Sequence, residues 1–259
     1  MPSDAPAKRK RLSEHSPYKM NSLDEKHELF MQWSKDHGVD INGVKPAKLP
    51  GRGLGLVTTK KLRMDERILF VPEKAMFKPD AKFLRSNGMQ QASPQAQLAV
   101  SAAAAFLDSE ELAVWKRTWP TREDFQDGMP SWWDPKIREL LPPSVHQPLE
   151  RLLADFEKDQ AAVAEYAKEH FPESTGWFKY VWTIVNSRSF YWKPPRGNDG
   201  CMVMCPFIDY MNHGPTGETC RVMQTAKGYE VLADRDYGKQ TFSSGLHVRY
   251  DELDAFGLV

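Results

Sequence analysis

Cys205-Pro206-Phe207-Ile208-Asp209-Tyr210-Met211-Asn212-His213-Gly214 is the stretch on which the reading of this chain turns. Aromatic and aliphatic side chains there surround Asp209, Asn212 and His213, and each of these polar groups needs a hydrogen-bond partner once buried. The apolar run Val203 to Ile208 predicts a strand leading into them. As a metal site the stretch is poor. His213 has no second histidine at ligand spacing, and Cys201 and Cys205 lack a second pair. A lone histidine of this kind is more often a structural residue than a ligand.

Two further segments are candidates for chemistry. Upstream, Ser187-Arg188-Ser189-Phe190 closes the apolar run Trp177 to Trp192, which reads as a buried helix. A guanidinium at its end is costly to bury unless paired, so a carboxylate is expected nearby, either internal or on a ligand. Further upstream lies Gly51-Arg52-Gly53-Leu54-Gly55-Leu56. Its glycines permit left-handed angles and close approach of the backbone to a ligand. A dinucleotide fold would require a helix after them, but Val57-Thr58-Thr59 continues as a strand, so that fingerprint fails and a glycine-rich hairpin is the plainer reading.

Outward from these segments the chain divides into strands that flank helices. Between Gly51 and Phe77, Leu54 to Val57 and Ile68 to Val71 read as paired strands separated by the charged turn Arg63 to Arg67. Residues from about 81 to 192 read as helical. Ser93 and Pro94 start one helix. Leu149, Leu152, Leu153, Phe156, Val163 and Tyr166 mark another, stopped by Pro172. After Gly200, Arg221 to Met223 and Tyr229 to Leu232 are strands. A first helix is expected from a capping box of Ser22 and Glu25, with Leu29, Phe30 and Trp33 on one face.

Composition excludes several classes of function. The chain has 259 residues, with 35 Lys plus Arg against 35 Asp plus Glu, so no net field draws it to nucleic acid. No run of 18 uncharged apolar residues is present to span a membrane. Three cysteines make no disulfide framework and suit a reducing compartment. Residues 1–22 hold too little apolar surface to offset their ordering and are expected to be a disordered basic tail. Lys8 to Arg11 within them fit a nuclear-import signal or a merely solvating tail.

Taken in order, GRGLGL, TTKKLRMDERILFVP, the helical insert, NSRSF, PFIDYMNH and ADRDYGKQTFSSG with AFGLV resemble a SET-domain protein methyltransferase of the Rubisco large-subunit methyltransferase-like class. The resemblance covers residues 23–259. It implies an α+β chain, with a SET-domain β-fold of short strands interrupted by a large helical insert at about 81–192 and the family's C-terminal helical substrate-binding domain absent. It further implies S-adenosylmethionine as cofactor, without a metal. Arg52, Gly53 and Leu54 would contact it through backbone, Ser187 and Arg188 would hold it with Arg188 on its carboxylate, and Asn212 and His213 would lie beside its amino-acid and adenine ends. Phe190 and Asp209 would line the channel of the substrate side chain.

The same resemblance implies a protein-lysine N-methyltransferase acting on a protein that presents a lysine, in the nucleus, the cytoplasm or both. The chain departs from it at the family's tyrosine and again at Ala255-Phe256-Gly257-Leu258, where the second aromatic hydroxyl of the family's terminal YGF is absent. Where the family reads similar to G-E-Q-x-F-x-S-Y-G, this sequence has Gly238-Lys239-Gln240-Thr241-Phe242-Ser243-Ser244-Gly245, so the family's catalytic tyrosine is missing at Ser244 and Gly245. Tyr237 and Tyr250 are near in sequence but lack the right neighbours. The alternative reading is therefore a non-catalytic SET module that binds cofactor or a protein partner.

Overall fold

A computed structural model of the chain describes residues 23–49, 53–171, 176–195, 200–212 and 219–239, with the backbone of 213 and 247–248. The basic tail, Arg52, Ser244, Gly245 and Tyr250 lie outside the described residues.

The glycine-rich segment is half of a hairpin. Strand β2 (Val44–Leu49) pairs antiparallel with β3 (Gly53–Thr58), in a register running from Val44 opposite Thr58 to Leu49 opposite Gly53. The expected pairing of Leu54–Val57 with Ile68–Val71 is not found. The second run forms β4 (Arg67–Pro72) in a separate antiparallel sheet, between β1 (Asp40–Ile41) and β9 (Gly228–Leu232), with β8 (Arg221–Thr225) at its far edge. Ile68, Leu69 and Val71 are all fully buried, so this strand needs cover on both faces and neighbours on both edges. A central place in the four-stranded sheet provides both.

The helical insert runs from α2 (Ala81–Ser86) to α9 (Trp177–Arg188). Its centre is the contact of α9 with α3 (Pro94–Asp108). Ala96, Ala99, Ala102 and Ala103 of α3 are fully buried, and their small side chains let the large residues of α9 pack close to the backbone. As expected, Ser93 caps α3, its hydroxyl accepting from the Ala96 amide at 2.9 Å. Below it, Phe106 lies against Trp119 with ring centroids 4.6 Å apart.

Four local expectations are corrected. The insert ends at Arg188, not near 192, because Ser189 to Trp192 form strand β5 (Ser189–Trp192), with Phe190 and Trp192 buried on one face at a period of two. The amphipathic run from Leu149 to Tyr166 is two helices, α7 (Pro143–Ala162) and α8 (Ala164–His170). They break at Val163, which leaves helical angles with its side chain buried in the core. Helix α1 (Glu25–Asp36) is preceded by Asp24 as N-cap, with no side-chain cap, while Ser22 lies outside the described residues. Finally, the strand expected over 203–208 is β6 (Cys201–Met204), which pairs antiparallel with β5. Pro206 cannot donate to a ladder, and the chain turns there.

Candidate active site

The turn after β6 is set by Phe207, a non-glycine residue at φ +74°. That conformation is disfavoured for a bulky side chain. It is held because the ring is fully buried, edge-on to Tyr210 at 5.2 Å and beside Phe30. The corner throws the chain into a single 3-10 turn, Ile208–Tyr210, and then into the short strand β7 (Asn212–His213). Tyr210 is fixed from the other side by His27 of α1, whose Nδ1 is 2.7 Å from the phenolic oxygen. Burial lowers the pKa of His27, so the neutral ring is favoured at this contact.

The turn places Asp209 against the end of α9. Arg188 Nη1 donates to Asp209 Oδ2 at 2.8 Å and more weakly to the Asp209 carbonyl at 3.4 Å. The Asp209 side chain is only 5% exposed and that of Arg188 22%. The carboxylate expected beside the buried guanidinium is thus an internal one. Burial pushes the Asp209 carboxyl above its ordinary range and Arg188 opposes the shift. Its second oxygen, Oδ1, is buried with no hydrogen-bond partner among the described residues. Such an orphan acceptor is costly and marks a place where a donor fits. Among the described residues Arg188 makes both of its hydrogen bonds through Nη1, and the other donors of its fork are open to a second anion there. Ser187 is engaged differently, its hydroxyl donating back to the carbonyls of Thr183 and Ile184.

Asn212 joins this turn to the glycine-rich strand. Its Nδ2 donates to the Leu54 carbonyl at 3.0 Å. The approach needs glycine next door, because a Cβ on Gly55 would stand 2.9 Å from Asn212 Nδ2 and 2.6 Å from Leu49 Cδ1. Gly53 is needed for another reason, its φ of +71°, and no described residue lies within 4 Å of where its Cβ would be. Among the described residues the backbone at Gly53 is therefore open, and none of them donates to the Asn212 amide oxygen. Strand β10 (His247–Val248) then runs parallel to β7, with His247 opposite Asn212, so Ser244 and Gly245 lie within three residues in sequence of a partner of the site.

The structure therefore brings Gly53, Leu54, Arg188, Asp209 and Asn212 to one corner, where β3 packs on the 208–210 turn. Phe190, on β5, is 2% exposed and its ring centroid lies 5.5 Å from that of Tyr229. Tyr237 is occupied elsewhere, its hydroxyl donating to Asp234 and lying 3.7 Å from Cys220 Sγ. The Asn212–Leu54 bond and the His27–Tyr210 contact were not read from sequence. His27, Phe30 and Ser34 are the buried residues of α1 at i, i+3, i+7 spacing, a signal that could have placed His27 on the core face. Among the described residues no group of three or more His, Cys, Asp or Glu could hold a metal, and no helix is long and apolar enough to cross a membrane.

No protein-family model matches the chain. Its fold matches the SET domain of LSMT, solved bound to lysine and AdoHcy, with a TM-score of 0.64, 19% identity, and coverage of 89% of this chain and 55% of the other. A structure of Rubisco LSMT bound to AdoMet aligns with a TM-score of 0.57 at 21% identity, covering 88% of this chain and 53% of the other. At these identities the likeness establishes the fold: the chain has the α+β architecture of a SET domain.

Related sequences are found as well. SET domain-containing protein 4 of Mus musculus is 25% identical over 230 residues, 80% of this chain and 52% of the relative. The chloroplastic Rubisco large-subunit N-methyltransferase of Pisum sativum is 26% identical over 227 residues, 83% of this chain and 45% of the relative. A 49-residue stretch is 47% identical to the actin-histidine N-methyltransferase of Drosophila melanogaster, spanning 19% of this chain and 9% of that protein. The chain thus has the SET-domain fold and resembles proteins of the Rubisco large-subunit methyltransferase-like class, and it spans about half the length of the first two relatives.

Proposed function

We propose that the chain is an S-adenosylmethionine-dependent protein-lysine N-methyltransferase. The observation that carries this is the corner just described, where a glycine strand, an arginine and an asparagine converge, with donors and an acceptor that no described residue engages. They fit the amino-acid end of the cofactor. The free nitrogens of Arg188 suit its carboxylate, Asn212 Oδ1 suits its ammonium, and Gly53 leaves room for close approach. Arg52 and His213 belong to the same two segments and are assigned with them. S-adenosylmethionine, when bound, supplies an electrophilic methyl group.

The rest of the work is positioning. An amine must arrive without its proton and in line, so the protein gains rate by orienting it and by excluding water. Asp209 offers a buried acceptor in Oδ1, and its ion pair with Arg188 ties the acceptor side to the cofactor side. Phe190, whose ring packs against Tyr229, is assigned to the wall of the substrate channel. The basic run Lys8 to Arg11 supports a nuclear as well as a cytoplasmic setting.

A second reading, a SET module that binds without turnover, is favoured by Ser244-Gly245 in place of the family's tyrosine and by the engagement of Tyr237 with Asp234. One experiment separates the two. The chain and a form with Tyr inserted between Ser244 and Gly245 are incubated with labelled S-adenosylmethionine and a nuclear protein extract, and labelled protein is hydrolysed to amino acids. Methyl-lysine, increased by the insertion, is the expected result. Methyl-histidine would contradict the lysine assignment. No label from either form, with cofactor still bound, would leave the binding module as the better account.

A further inference from the structure

On the other side of α9, a cavity of about 260 Å³ lies between the start of α3, the middle of α7 and the β5–β6 hairpin. Its walls include Trp182, Tyr191, Leu152 and Met202, and two of its carboxylates, Asp155 and Asp159, stand one turn apart on α7. Asp159 is 4% exposed. Its oxygens accept from Ser93 Oγ at 2.7 Å and Trp182 Nε1 at 2.9 Å, both neutral donors. Among the described residues no lysine or arginine forms an ion pair with it. A carboxylate buried beside a cavity without a cation is an incomplete arrangement, since buried charges are normally paired.

The shape and chemistry select the missing partner. The volume lies below the roughly 300–1,000 Å³ of small-molecule sites, so it suits one side chain better than a cofactor. Apolar and aromatic walls suit a methylene stem and a cation over a ring face. Two carboxylates against the single ammonium of Lys158 leave the lining net negative. We propose that this cavity docks a basic side chain, arginine or lysine, presented by a protein partner. That the partner is the methyl-acceptor protein rests on the reading above.

The test observes the Trp182 indole N–H by NMR in the full chain while Nα-acetyl-arginine amide is added. Nα-acetyl-citrulline amide, its neutral counterpart, and Nα-acetyl-lysine amide are titrated in parallel. Saturable displacement by a basic amide and not by citrulline is expected, and whichever basic amide binds tighter names the side chain. Asp155→Asn, at an exposed position that leaves the Asp159 contacts intact, is expected to weaken binding about threefold, and Lys158→Glu to tighten it similarly, the size of an exposed ion pair. No saturable shift, equal shifts with citrulline, or an unchanged Asp155→Asn would overturn the proposal. S-adenosylhomocysteine affinity on the same samples keeps the two claims apart. A chain that binds the basic amide but not S-adenosylhomocysteine refutes the methyltransferase reading and supports the cavity, and the converse result overturns the cavity alone.

Discussion

Gly53 and Gly55 stand two residues apart and serve different ends, which makes them separable by substitution. A Cβ at 55 meets Leu49 and the Asn212 amide at under 3 Å, so Gly55→Ala is expected to displace Asn212 from Leu54, with an overpacking cost of about 1–3 kcal/mol. Gly53→Ala meets none of the described residues and costs only its left-handed backbone, about 1–2 kcal/mol. Urea denaturation with S-adenosylhomocysteine titration of both variants checks this: affinity is expected to fall further in Gly55→Ala than in Gly53→Ala. Equal losses would mean that the Asn212 contact does not matter to binding. A second residue sets an acid limit. Glu66 accepts from the Arg63 amide, Lys60 and Asn42, which lower its pKa to about 2. A carboxylate depressed in the folded state contributes above its unfolded value and loses that contribution as pH falls toward the folded one. Glu66→Gln is therefore expected to flatten the loss of stability between about pH 4.5 and 2, read by thermal unfolding across that range.

Helix starts show what one side chain contributes to an element. Ser93 caps α3 and also donates to buried Asp159, whereas Ser109 caps α4 (Glu110–Lys116) through the Leu112 amide. Ser109→Ala is expected to cost about 1 kcal/mol, the loss of a cap. Ser93→Ala is expected to cost about 2 kcal/mol or more, because it also strips a donor from a buried carboxylate. Chemical denaturation of the two variants measures the difference, and equal costs would show that the Asp159 bond is idle. The start of α3 was legible because Ser-Pro before an apolar period is a local signal. The split of α7 from α8 was not, because Val163 keeps the amphipathic period while leaving helical angles. Strand β5 was hidden for a related reason: an apolar run such as Trp177 to Trp192 carries no period to show where helix gives way to strand.

At the scale of the molecule, order along the chain was the readable quantity and partnership across it was not. Strands flanking a helical insert follow from periodicity. That β4 sits between β1 and β9, and not beside β3, depends on contacts between residues some 160 apart in sequence, such as Val71 with Tyr229. The site behaved likewise. Arg188 announced its need for a carboxylate, but that Asp209 meets it and keeps one oxygen bare required the strained corner at Phe207. The central claim is that this corner holds the amino-acid end of S-adenosylmethionine. Its most direct test is calorimetric titration of S-adenosylhomocysteine into the wild-type chain and Asn212→Ala, with circular dichroism to verify that both are folded. The account predicts one site per wild-type chain and an affinity at least about tenfold lower in the variant, the loss of a hydrogen bond to a charged group. No binding to the folded wild-type chain, or an unchanged affinity in folded Asn212→Ala, would contradict it.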